Sequence, residues 1–130
     1  PILHREIHRA AEKLADRGVR FVTISVDPAH DTVEQMHEHV TRWGVRNDAW
    51  TFVRVEPDAL PPMLEALRMP ALTDDTANQI TLPGGATMPN INHPTRFFVI
   101  GPMGDVRGLW RGNDPAEVDE MIRWLLRNGA

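Results

Sequence analysis

Residues 19–26, Val-Arg-Phe-Val-Thr-Ile-Ser-Val, are dense in β-branched side chains and almost continuously apolar. A strand that faces core on one side and water on the other alternates in character; a strand covered on both faces does not, so this stretch predicts an interior strand of a parallel sheet. Reading backwards, Gly18 marks the end of a helix over residues 2–17. In that helix Ile2 or Leu3, Ile7, Ala10, Ala11 and Leu14 recur at spacings of three and four. Reading forwards, Asp27-Pro28-Ala29-His30-Asp31-Thr32 is a loop. Thr32 and Gln35 stand at the spacing of a capping box, which opens a second helix running to about Trp43 and Gly44.

The rest of the chain continues the alternation. Residues 51–55 read as a short strand, and a helix opening at Pro57 or Asp58 runs through Leu60, Met63, Leu64 and Leu67 and stops before Pro70. Residues 70–93 are rich in Pro and Gly, with one β-like stretch at 79–82 that the following Pro-Gly-Gly could close into a hairpin; this is the least regular part. Arg96–Ile100, a Gly-Pro-Met-Gly turn and Asp105–Arg111 predict a β-hairpin. Asp114-Pro115 starts a last helix, whose Val118, Met121, Ile122, Leu125 and Leu126 form one apolar stripe ending at Gly129. The order helix, strand, helix, strand, helix, hairpin, helix implies an α/β fold with a parallel core and an antiparallel edge. The first helix has no strand before it, although such folds normally begin with one.

At 130 residues the chain has the size of a single domain, spanning 1–130. Its 42% hydrophobic and 25% charged residues are globular values, which argues against disorder and against extended coiled coil. A net charge of −4 gives no general attraction for nucleic acid or anionic lipid. No window approaches the roughly 20 apolar residues that cross a bilayer. Cysteine is absent, and with it every disulfide, thiolate ligand and thiol nucleophile from these 130 residues.

The six histidines are the candidates for metal chemistry. His4 and His8 are four apart on a helix but lack the glutamate that zinc peptidases place directly after the first histidine, so solvated surface is the plainer reading. His37 and His39 are two apart and point to different sides of a helix. His30, Asp27 and Asp31 are explained by turn formation. His93 differs, because Asn90-Ile-Asn-His-Pro-Thr95 leads directly into an apolar strand, where α/β folds hold ligands. Pro94 could be a cis proline in a sharp turn. Asp74-Asp75 reads as turn chemistry, and the four tryptophans as packing. No nucleophile elbow, phosphate loop or dinucleotide fingerprint is present, so no catalytic residue and no organic cofactor site is assigned.

Phe21-Val-Thr-Ile-Ser-Val-Asp-Pro-Ala-His-Asp-Thr32 resembles the SCO/SenC family, thioredoxin-like copper chaperones of cytochrome c oxidase assembly, in which a strand ending Ser-Val-Asp-Pro and an Asp-Thr helix start recur. His93 followed by Arg96-Phe-Phe-Val-Ile-Gly-Pro-Met-Gly-Asp-Val-Arg-Gly-Leu-Trp110 is the second match, in the family's order and approximate spacing. The resemblance extends over nearly the whole chain. It implies a thioredoxin-like fold whose first central strand is missing here, and a copper site made of two cysteines of a Cys-x-x-x-Cys motif and one distant histidine. On that pattern His93 matches the histidine ligand and Pro1 the proline after the second cysteine, so both cysteines would lie upstream and copper would bind tightly only to the complete domain. A chain without its central strand is expected to be marginally stable or to associate.

The resemblance further implies a cytochrome c oxidase subunit carrying the dinuclear copper centre as partner. It also implies a periplasm-facing location through an anchor that this sequence does not contain. Two other readings stay open: a TlpA-like thiol-disulfide oxidoreductase, which Pro94-Thr95 before the strand also resembles, and a cysteine-free thioredoxin-like binding module.

Overall fold

The helix predicted at the start forms over Ile2–Leu14 (α1) and tightens into a single 3-10 turn over Ala15–Arg17. Gly18 ends it at φ 70°, a left-handed conformation that costs a glycine nothing. The computed structural model describes residues 2–44, 49–70, 72–81 and 84–129. Pro1, matched above to the family's proline, and Pro83 of the expected Pro-Gly-Gly turn lie outside the described residues. Phe21–Ile24 (β1) and Val33–Arg42 (α2) follow, then Trp50–Val53 (β2) and Leu60–Ala66 (α3). The chain continues with Thr73–Thr81 (β3), Thr87–Asn92 (β4), Arg96–Ile100 (β5), Val106–Arg111 (β6) and Pro115–Asn128 (α4). These elements divide into two compact units, one made by the chain up to Thr23, Met36–Phe52 and the chain from Thr95 on, the other by Ile24–Gln35 and Val53–Pro94.

The first unit holds the main core. Ala10 and Leu14 of α1 meet Val118, Met121, Ile122 and Leu125 of α4 and Val99 of β5, with Val19, Phe21, Phe97, Trp110 and Trp124 packed around them. The stripe predicted for the last helix is thus the buried one, except Leu126, which stays 41% exposed. Asp114 caps α4 by accepting from the Ala116 amide at 3.0 Å, with Pro115 at the first helical position, where its missing N–H costs nothing. In the β5–β6 hairpin Phe97 faces Trp110 and Val99 faces Gly108 on the core side, and the register shifts between Val99 and Ile100. Gly108 makes room for the Trp110 indole, for a Cβ there would lie 2.2 Å from the ring.

The ladders form as three two-stranded pairs, β1–β2, β3–β4 and β5–β6. Phe21 N–H donates to Ala49 O at 2.8 Å and Ser25 N–H to Val53 O at 2.9 Å, so β1 and β2 advance in step and run parallel. The interior position expected for residues 19–26 does not hold among the described residues. The strand is shorter, it pairs with β2 alone, and Val22 is 58% exposed. The apolar composition is that of a strand covered on both faces, whereas among the described residues Val22 stays open to water.

In the second unit Pro57–Ala59 form a 3-10 turn that leads into α3, whose Leu60 and Leu64 are buried. Residues 70–93, expected to be irregular, contain the β3–β4 hairpin, paired from Thr73 with Asn92 to Thr81 with Thr87. The Asp-Asp pair sits at its irregularity. Asp75 accepts from the Ala77 and Asn78 amides, each at 3.2 Å, and from the Asn78 side chain at 2.7 Å, so the carboxylate caps backbone that the ladder leaves unpaired.

Candidate functional site

His93 lies in the coil His93-Pro94-Thr95, which follows Asn92 at the base of the β3–β4 hairpin and leads into β5. Its ring is exposed. No cis peptide occurs among the described residues, so the bond before Pro94 is trans, the form X-Pro favours by about 0.5 to 1 kcal/mol when nothing selects the other. Among the described residues no three His, Cys, Asp or Glu side chains come together as a metal site. A copper(I) ion needs soft thiolate donors to be held against competitors. One exposed imidazole does not meet that need, so the described residues do not by themselves fit the metal.

The loop after β1 is built from its own polar side chains. The Asp27 carbonyl accepts from the amides of His30 at 3.1 Å and Asp31 at 2.9 Å, while the Asp27 carboxylate stands 2.8 and 2.9 Å from His30 Nδ1. The Ser25 hydroxyl donates to Asp31 and accepts from the Asp27 amide at 3.0 Å. Arg54 Nε reaches the Pro28 carbonyl at 2.7 Å, and Thr32 and Gln35 close the capping box with bonds of 3.0 and 3.2 Å. Asp27, His30 and Asp31 are therefore occupied in shaping a turn, as their sequence context predicts, and none is left as an acid-base pair.

A second histidine cluster joins residues that the sequence keeps apart. His4 of α1 does not pair with His8, which lies 3.6 Å from Glu12 one turn further on. Instead the His4 ring meets His39 of α2, with centroids 4.5 Å apart and planes 58° to each other. Trp43, Trp50 and Phe52 stand 5.5 to 5.9 Å from His4. His4 Nδ1 is buried without a hydrogen-bond partner, and the imidazole pKa is lowered to about 4. Desolvation is the largest cause, and the coulombic effect of His39 pushes the same way. Sequence spacing within one helix could not show a pair formed between two helices. The available signal was phase: His4 falls three residues before Ile7, and His39 falls between Met36 and Trp43 on the same stripe.

The SCO1/SenC family model matches residues 1–127. Two solved structures are similar in fold. A SCO1/SenC family lipoprotein from Bacillus anthracis str. Ames superposes with a TM-score of 0.68 at 16% identity, covering 98% of this chain and 71% of that one. Arabidopsis thaliana ScoI, solved with copper bound, gives a TM-score of 0.64 at 18% identity over 96% of this chain and 71% of that one. No curated protein sequence matches the chain.

Proposed function

The chain belongs to the SCO1/SenC family, and from that premise we propose that it is the body of a copper chaperone acting in cytochrome c oxidase copper-centre assembly, with His93 as the nitrogen ligand of its copper site. The observation that carries the reading is the family match over residues 1–127, together with an exposed imidazole at residue 93, free of any hydrogen bond to the described chain. Copper is cargo here. The thiolates that would complete its site come, on this reading, from a Cys-x-x-x-Cys segment that precedes Pro1.

The unpaired edge of β1 supports the same reading. A strand leading into that segment would pair there and give the apolar 19–26 stretch its second neighbour. The cargo's destination on this reading is the oxidase subunit that carries the dinuclear copper centre. The location is the periplasmic face of a membrane, through an anchor outside residues 2–129; no described helix is long and apolar enough to cross a membrane.

The test offers the complete, copper-loaded protein an apo fragment of that oxidase subunit and, separately, a disulfide substrate. Copper transfer that His93→Ala abolishes bears the proposal out. Disulfide reduction that proceeds equally with His93→Ala, without copper transfer, favours the TlpA-like oxidoreductase instead, and failure of both leaves a binding module.

A further inference from the structure

We propose that the His4–His39 contact is a pH-sensitive latch: a neutral His4 imidazole, packed on the His39 ring, holds the first turns of α1 against α2 and β2, and a proton on His4 releases them. The latch shares no residue with the proposed copper site and does not depend on it.

A neutral imidazole packs as an aromatic ring, and the wall formed by Trp43, Trp50 and Phe52 receives one at ordinary ring-to-ring distances. The wall is itself fixed, because the Trp50 indole N–H donates to the Thr23 hydroxyl at 2.9 Å and Trp50 is only 2% exposed. A proton arriving at His4 Nδ1 meets no acceptor, since that atom is buried and unpartnered. It also meets the His39 ring 4.5 Å away, where two imidazolium charges would repel.

Among the described residues, the charged groups of α1 nearest His4 do not relieve this. On α1, Arg5 lies 3.6 Å from Glu6 and His8 3.6 Å from Glu12, each turned to its own carboxylate. β2 supplies the rings of Trp50 and Phe52, and Trp43 follows α2; none of these titrates. Burial is the largest cause of the disfavour. His4 is only half-buried, so its path to water is short. Protonation is expected to swing the ring out, fray the first turn of α1 and wet Trp43 and Trp50. The closed form is favoured above the ordinary histidine value of 6.5, and it loses ground as pH falls from there towards about 4. Allowing for solvent screening, the shift towards the open form over that range is on the order of tenfold.

The experiment follows the imidazole and indole resonances of the protein by NMR from pH 7.5 to 3.5, with His4→Phe as the ring-preserving variant. The latch predicts that His4 titrates at least one pH unit below an ordinary histidine. It also predicts that the Trp43 and Trp50 signals move with the same midpoint while Trp110 and Trp124 hold still, and that His4→Phe abolishes the Trp43 and Trp50 transition. Titration of His4 at the ordinary value with Trp43 and Trp50 unmoved overturns the proposal. So does a single transition of all four tryptophans, which the wild-type spectra alone detect even if the variant does not fold.

Discussion

Arg9 of α1 hydrogen-bonds Asp119 of α4 across 110 residues of sequence, and the same guanidinium donates to Glu6 at 2.6 and 2.9 Å. Glu6 is only 3% exposed, so Arg9 is what makes a buried carboxylate tolerable while it ties the two helices together. Arg9→Ala is therefore expected to cost about 2 to 3 kcal/mol, because it leaves that buried charge with only the longer 3.6 Å contact to the exposed Arg5. Asp119→Ala, at a more exposed end of the network, is expected to cost clearly less. Denaturant midpoints check the order; equal costs would show that Glu6 does not depend on Arg9.

Gly108 has an ordinary backbone, yet a methyl group there would meet the Trp110 ring, whose centroid lies 5.9 Å from that of Trp124. Gly108→Ala should displace the indole and cost about 1 to 3 kcal/mol, as overpacking does. At Gly101 the crowding atoms belong to the exposed, flexible side chains of Arg107 and Asp105, and Gly101→Ala should cost less. Thermal denaturation ranks the two, and near-ultraviolet circular dichroism should change for Gly108→Ala alone.

The pH dependence of stability should show two descents. The folded pKa of His4 lies below its ordinary value of 6.5, so the unfolded chain takes the proton first. Stability is undiminished above 6.5, falls as pH drops to about 4, then levels. The loss is about 1 to 2 kcal/mol, less than the full shift implies because the ring is half in water. Asp119 beside Arg9, Asp105 beside Arg107, Asp75 beside Asn78 and Glu117 on the Arg111 amide are held below the usual carboxylate range. Their contributions are present above that range and disappear below it, giving the second descent. Urea unfolding at steps of pH separates the two; a flat profile from pH 7 to 4.5 contradicts the first.

With one edge of β1 unpaired among the described residues and Val22 exposed, the 130-residue chain by itself is expected to self-associate through that strand. Sedimentation as a concentration-independent monomer, with cooperative unfolding at an ordinary melting temperature, would count against this.

Elements were legible in the sequence where one local rule decided them. Gly18, the Thr32–Gln35 box, Asp114-Pro115 and the 96–111 hairpin each carry their own start or stop signal, and each forms where that signal lies. The β3–β4 hairpin was legible only around 79–82, because Thr73–Asn78 is polar on both sides. A ribbon exposed on both faces lacks the alternation by which strands are recognised. The position of His93 just before a strand is legible in the sequence, whereas the His4–His39 contact is not, since it is created when two helices pack. Whether a strand is interior is likewise a tertiary property: the composition of residues 19–26 expresses a need for partners and cannot say where they come from.

The most direct measurement is copper(I) affinity, by competition with a chromophoric chelator, of the complete protein with and without His93→Ala. If His93 is the nitrogen ligand beside two thiolates, the variant loses about a hundredfold or more, close to 3 kcal/mol. Equal affinities for the two proteins would contradict that assignment and remove the residue on which the copper-chaperone reading of this chain depends.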